Sequence, residues 1–248
     1  GEYLVVWSTD LIADDDIRAQ RVATNGRLIG SPWVVAWISG HDKAEPDVVY
    51  NEKHNQYLVV FKDTDASGGT TIRGRRLGGK GTLLDPIDLY IQNVDSNKGF
   101  GHPAVEYAYT SDRYLVAWEG WDSPLLNNYE IYGRIVAPDG SLPKSRITIT
   151  SGVGPRLCPA LAYNRHQNQT MVLWEERNNA TLLWEIKGFQ VTGNGDLLPG
   201  TDLSFGWSGE NNRNPKIAAL PTIRTSHKFM AVWELNPGTN KNGIASVM

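Results

Sequence analysis

Three glutamates each follow an apolar run that ends in tryptophan: Glu119, Glu175 and Glu234. Carboxylates held on one face of a scaffold do two kinds of chemistry. They work as the acid and base across a glycosidic bond, or they ligate a cation together. Ser8 and Lys62 hold the same place in two further copies of the run. Because Glu recurs there with the pattern, the first expectation is an exposed residue or one paired with a neighbouring copy. The catalytic reading is the second. A second set, Glu45, His102, Cys158 and Asn214, precedes four prolines. If the strands that follow are innermost, these side chains crowd a channel mouth, where Glu45, His102 and Cys158 would suit a transition metal. Four different chemistries at one position point instead to drift.

Other candidates stand alone. Asp14 and Asp16, and Asp63 and Asp65, carry oxygens of the kind calcium takes, without the spacing of a calcium loop. They read as solvated loop charges, with Asp63 or Asp65 shaping a turn. Trp121 lies between Glu119 and Asp122, and Trp184 ends another long loop. An exposed indole beside acids makes a sugar site: the ring stacks on the sugar and the polar groups take its hydroxyls. The competing role is a Trp folded over a sheet edge. Asn179-Ala-Thr181 fits the glycosylation acceptor pattern and matters only in a source that modifies it. No nucleophile-elbow sequence and no phosphate loop ahead of a helix is present.

The elements that must position these residues come from an internal repeat. Tyr3-Leu-Val-Val-Trp7 recurs as Tyr57-Leu-Val-Val-Phe61, Tyr114-Leu-Val-Ala-Trp118, Thr170-Met-Val-Leu-Trp174 and Phe229-Met-Ala-Val-Trp233. The closing aromatics are 54, 57, 56 and 59 residues apart. Such runs, apolar throughout and rich in β-branched and aromatic residues, predict strands buried on both faces. A Pro-led strand precedes four of them, beginning at Pro46, Pro103, Pro159 and Pro215. Pro at the first residue of a strand loses no ladder bond. A third strand follows each run and closes on a small residue, as in Ile72-Arg-Gly74, Ile131-Tyr-Gly133 and Ile186-Lys-Gly188. Turns ending in Gly, such as Asp139-Gly140 and Asn194-Gly195, lead to a fourth.

Four short antiparallel strands per repeat, with no helical periodicity, predict an all-β chain: a β-propeller of about five four-stranded blades. The approximate blades are 2–40, 46–97, 103–152, 159–207 and 215–248, in one domain covering 1–248. The first and fourth strands each fall one copy short, so the terminal blades are three-stranded. A fragment of a larger propeller is the alternative. The long loops share one face, and that face is where a site is expected.

Composition sets bounds. The net charge is −3, with 40% apolar and 21% charged residues, and no Lys/Arg cluster marks a nucleic-acid footprint. No apolar stretch is long enough to insert in a membrane. A single cysteine excludes an intramolecular disulfide. No stretch reads as a signal peptide, and an opening Gly1 is expected of a mature or trimmed piece.

The pattern Pro-x-Val-x-Tyr-Asn, Tyr-Leu-Val-Val-Trp-Glu, Ile-x-Gly-x-x-Val, Asp-Gly-x-Leu resembles repeats of exported bacterial and archaeal proteins of unassigned role. The resemblance spans nearly the whole chain and implies architecture rather than activity. The expected function is a non-catalytic binding or scaffold propeller, extracellular, periplasmic or at the cell surface, with a glycan or protein ligand on the long-loop face. One alternative is an enzyme acting on polysaccharide through Glu119, Glu175 or Glu234. Another is a structural unit of a surface assembly, self-associating through unpaired strand edges. No cofactor is expected; calcium is the ion the Asp pairs would suit.

Overall fold

The computed structural model describes residues 1–9, 15–93, 99–121, 128–219, 228–236 and 243–247, the last segment as backbone only. Among them are eighteen strands in five antiparallel sheets and no helix. The first sheet holds β1 (Glu2–Ser8), β2 (Ile17–Ala23) and β3 (Leu28–Ala36). The second holds β4 (His41–Asn51), β5 (Gln56–Asp65), β6 (Thr70–Gly78) and β7 (Leu89–Gln92). The third holds β8 (Gly99–Ala108), β9 (Arg113–Trp121), β10 (Tyr129–Val136) and β11 (Ile147–Thr148). The fourth holds β12 (Arg156–Asn164), β13 (Gln169–Arg177), β14 (Trp184–Thr192) and β15 (Leu203–Phe205). The fifth holds β16 (Asn212–Ala219), β17 (Phe229–Leu235) and β18 (Gly243–Val247). In every sheet the strands are ordered as in the chain. The fold is a five-bladed β-propeller with three-stranded terminal blades. No helix is long and apolar enough to cross a membrane.

Two compact units divide the chain, Gly1–Val105 and Glu106–Met248. In the first, Ile17, Ala19, Val35 and Ala36 pack on Tyr57, Val59 and Phe61 of β5. In the second, Val172 and Trp174 of β13 pack with Leu115, Ala117 and Ile131. Met171 and Leu173 of the same strand pack with Ala231 and Trp233. Successive residues of a strand point to opposite faces, so a run apolar at every position feeds two cores at once. Each fully buried side chain of such a strand contributes about 1.5–3 kcal/mol. β1 and β17 depart from this. Tyr3, Val5 and Met230 are exposed.

The prolines are not strand starts, as the sequence predicts. β4, β12 and β16 begin three to five residues earlier, and each breaks register where its Pro lies, between Ala44 and Asp47, Leu157 and Ala160, and Arg213 and Lys216. The break is a bulge: Glu45-Pro46, Cys158-Pro159 and Asn214-Pro215 lie opposite the single residues Phe61, Trp174 and Trp233. A bulge leaves a backbone N–H out of the ladder, and Pro has none to lose. The residue before each Pro, His102 included, is left-handed: φ is 56° at Glu45, 45° at His102, 54° at Cys158 and 51° at Asn214. Non-glycine residues in that conformation cost about 1–3 kcal/mol each unless their surroundings hold them.

The following hairpins carry a second repeated device. The hydroxyls of Tyr50, Tyr107 and Tyr163 donate to Asn55, Asp112 and Asn168, themselves left-handed, at 2.9, 2.8 and 3.0 Å. The small residue that closes each third strand is explained by crowding. A Cβ on Gly188 would lie 2.6 Å from Leu173 Cδ2, and one on Gly74 would lie 2.9 Å from Ile91 Cδ1. Leu173 is fully buried and has nowhere to move. Gly188→Val should therefore destabilise the chain by about 1–3 kcal/mol by overpacking. Thermal unfolding followed by circular dichroism checks this, with Gly26→Ala, in an open turn, measuring backbone strain alone.

Candidate active site

The recurring glutamates act on the bulges. Cys158 donates its N–H to Glu119 Oε2 at 2.8 Å, and Asn214 donates its N–H to Glu175 Oε2 at 2.8 Å. Each carboxylate thus binds the N–H that the bulge of the next sheet has freed. In the second sheet Lys62 stands where Glu would be, and the carboxylate comes from Glu45 instead. Glu45 Oε2 accepts the His102 N–H at 2.6 Å, while Lys62 Nζ donates to Oε1 at 2.6 Å. Burial works against the charged form of Glu45, yet Lys62 and the His102 amide together hold its carboxyl below the usual range. The four residues before the prolines are therefore not unrelated loop positions. They share one backbone state, and three of their N–H groups share one kind of partner.

Glu175 is completely buried, and Glu119 is 8% exposed. Neither offers a carboxylate to a large substrate. Glu234 is exposed, and its Oε2 accepts from the Asn214 side-chain amide at 2.9 Å. Asn214 thus joins two carboxylates, through its backbone N–H to Glu175 and through its side chain to Glu234. Both therefore hang on one residue.

Arg213 completes the cluster. Its Nε and Nη2 donate to Glu175 Oε1 at 2.9 and 2.6 Å. Its guanidinium carbon lies 4.1 Å from the Trp184 ring centroid, a stacked cation–π pair. Burial disfavours the Arg213 charge, but Glu175, Cys158 and Glu234 together raise its pKa above the ordinary value. Cys158 shows the other side of this negative field. Burial first, and then Glu175 and Glu119, push its thiol up to about 12.

The remaining sequence candidates fall elsewhere. Trp121 packs edge-on to Tyr129, ring centroids 5.4 Å apart, across the ends of β9 and β10. Asp14 and Asp122 lie outside the described residues. Asp16 is buried, 3.5 Å from Arg18, with Oδ1 lacking a hydrogen-bond partner. Asp63 is almost wholly buried against Lys43 at 2.5 Å, Arg73 at 2.8 Å and His41 at 2.9 Å. It is the counter-ion of Lys43 and Arg73 and the hydrogen-bond partner of His41, which is poor provision for calcium. Asp65 shapes a turn: Oδ1 accepts from Ser67 N, Ser67 Oγ and Gly69 N. Asn179 is exposed, and its Nδ2 donates to Val153 O at 3.0 Å. Arg213 and Asn214 are the members of the cluster that sequence reasoning undervalues. Their signal is position, since they flank the bulge opposite Trp233.

No protein-family model matches the chain, and no curated protein is similar to it in sequence. Its fold is similar to solved structures. Against the α-L-arabinofuranosidase from Lactobacillus brevis it covers 100% of this chain and 87% of that one, at 12% identity and a TM-score of 0.55. Against the endo-arabinase from Bacteroides thetaiotaomicron VPI-5482 the coverage is 99% and 88%, at 11% identity and 0.61. Against the α-L-arabinanase from Penicillium chrysogenum it is 100% and 71%, at 13% identity and 0.64. These likenesses establish the propeller. They also overturn the expectation of a non-catalytic binding or scaffold module, because the structures this fold resembles are sugar-cleaving enzymes.

Two outcomes follow. A thiol pushed to about 12 from 9.0 holds about a thousandfold less thiolate than a free one at neutral pH. Iodoacetamide should label Cys158 slowly in the native protein and promptly in urea, with the native rate rising about tenfold per pH unit well beyond pH 9. Mass spectrometry of timed samples reads this. Glu175→Ala strips Arg213 and the Asn214 bulge of their acceptor together and should cost about 3 kcal/mol in urea unfolding.

Proposed function

We propose that this propeller is a glycosidase-like enzyme that acts on a polysaccharide, with Glu234 as its accessible acid–base carboxylate. The observation that carries the reading is that Glu234, alone among the three recurring glutamates, is exposed and not spent on a bulge N–H among the described residues. Glu175 and Arg213 form the buried charged floor that orients Asn214, and Asn214 in turn orients Glu234. Trp184, held flat by Arg213, gives the apolar wall on which a sugar ring rests. General acid–base work by one positioned carboxylate contributes about 10²–10⁴-fold. The whole-length likeness to arabinan- and arabinoside-cleaving propellers supports arabinose-containing polymers as the first substrates to try. A polymeric substrate does not cross a membrane unaided, so the reading also places the protein outside the cytoplasm.

Release of reducing ends from arabinan, arabinoxylan and galactan tests this directly. Wild-type protein should release them, and Glu234→Gln should lose about 10²-fold or more of the rate with an unchanged unfolding midpoint. If no polymer is cleaved by concentrated wild-type protein, or if Glu234→Gln cleaves as fast, the proposal fails.

A further inference from the structure

A second site lies in the first unit, and its walls come entirely from the second sheet. A cavity of about 580 Å³ is lined there by His41, Asp63, Asp65, Arg73, Tyr90 and Asn93, among others. That volume falls in the range of small-ligand sites, about 300–1,000 Å³. Its floor is a buried ion cluster. Asp63 joins Lys43, His41 and Arg73, and Arg75 binds Asp88 just below. Counted with Asp65 at the rim, the three carboxylates Asp63, Asp65 and Asp88 meet the three fixed cations Lys43, Arg73 and Arg75. Arg73 gives Nη2 to Asp63 at 2.8 Å and Nε to the Thr71 hydroxyl at 3.2 Å.

Above the floor, four side chains keep unused polar atoms, and three of them are locked from behind. His41 binds Asp63 through Nδ1 at 2.9 Å, which leaves Nε2 toward solvent. Asp65 spends Oδ1 on Ser67 and Gly69, which leaves Oδ2. Those bonds, the Ser67 hydroxyl first, lower the Asp65 pKa. Tyr90 is 47% exposed and is pinned by the Arg73 guanidinium, 4.3 Å from its ring centroid. Asn93 adds an exposed amide. The atoms on offer are one carboxylate acceptor, one ring nitrogen, one hydroxyl that both gives and accepts, and one amide that does each at separate atoms. Such a mixture suits hydroxyls, each a donor and an acceptor. With Asp65 counted, carboxylates and fixed cations are equal in number, which favours no ion of either sign.

We propose that this cavity is a binding site for a neutral sugar, one or two residues of a glycan, separate from the Glu234 site and used for holding rather than cleaving. Tyr90 supplies the stacking face, and Asp65 Oδ2 with His41 Nε2 fixes the hydroxyls. Preorganisation by Asp63, Ser67, Gly69 and Arg73 keeps the ordering cost of binding low. The assignment does not depend on catalysis at Glu234.

The test uses the full chain carrying Glu234→Gln and Trp184→Ala, so that no probe is cleaved and the sugar wall of the Glu234 site is gone. It is titrated with arabinobiose, galactobiose and, as a charged probe, digalacturonate, with affinity read by calorimetry. A neutral disaccharide should bind with a dissociation constant of about 1 mM. Asp65→Asn keeps the turn's acceptor but turns the unused oxygen into a donor, and should weaken binding about tenfold, as should Tyr90→Ala. No neutral disaccharide bound at about 10 mM overturns the site. So does binding that survives both Asp65→Asn and Tyr90→Ala. A preference for digalacturonate overturns the neutral ligand.

Discussion

A carboxylate that accepts one backbone N–H from the next sheet is the interaction on which the innermost strands depend. Three of these strands, β4, β12 and β16, bulge opposite an aromatic residue, and in all four the residue ahead of the proline has a left-handed backbone. Proline itself disfavours helical backbone in the residue before it. At His102, Cys158 and Asn214 the conformation is held by an N–H bound at 2.6–2.8 Å by Glu45, Glu119 and Glu175 respectively. The bond joins sheet to sheet where apolar packing alone would allow sliding. It also fixes which glutamates are left for other work. Chemistry is available only where a glutamate of the series is not so employed, and Glu234 meets that condition.

The architecture was legible from spacing. A run apolar at every position, five times over, demands two covered faces, and β13 shows both cores filled by alternate residues. The shortfall of one first strand and one fourth strand also reads off the chain. The bulges did not, because the signal for a strand is carried by side chains and a bulge is a backbone event. Pro46, Pro159 and Pro215 look like strand starts because the residues before them break the apolar pattern. In the fold those residues, such as His41 and Lys43, still pair with β5.

The sites were legible only in part. Glu175, Glu234 and Trp184 stand out by residue type, and the structure brings them together around Asn214 and Arg213. Nothing in the sequence separates a buried Glu175 from an exposed Glu234. The difference lies in which neighbour supplies an N–H. Asp63 and Asp65 are two residues apart and look alike, yet one pairs with Lys43 and Arg73 and the other shapes a turn. His41 and Arg73 have no motif at all. They matter because cross-strand register sets them beside Asp63, a fact of pairing rather than of composition.

The residue before each proline takes one backbone state whatever its side chain. Glutamate, histidine, cysteine and asparagine all comply, at φ values within about ten degrees of one another. The propeller therefore contains four sockets of one backbone geometry, at two of which, Glu45 and Asn214, the side chain is also used by the fold. For a protein engineer this is a ready display frame. New side chains, chelating, nucleophilic or photoreactive, can be mounted there with their backbone geometry already set.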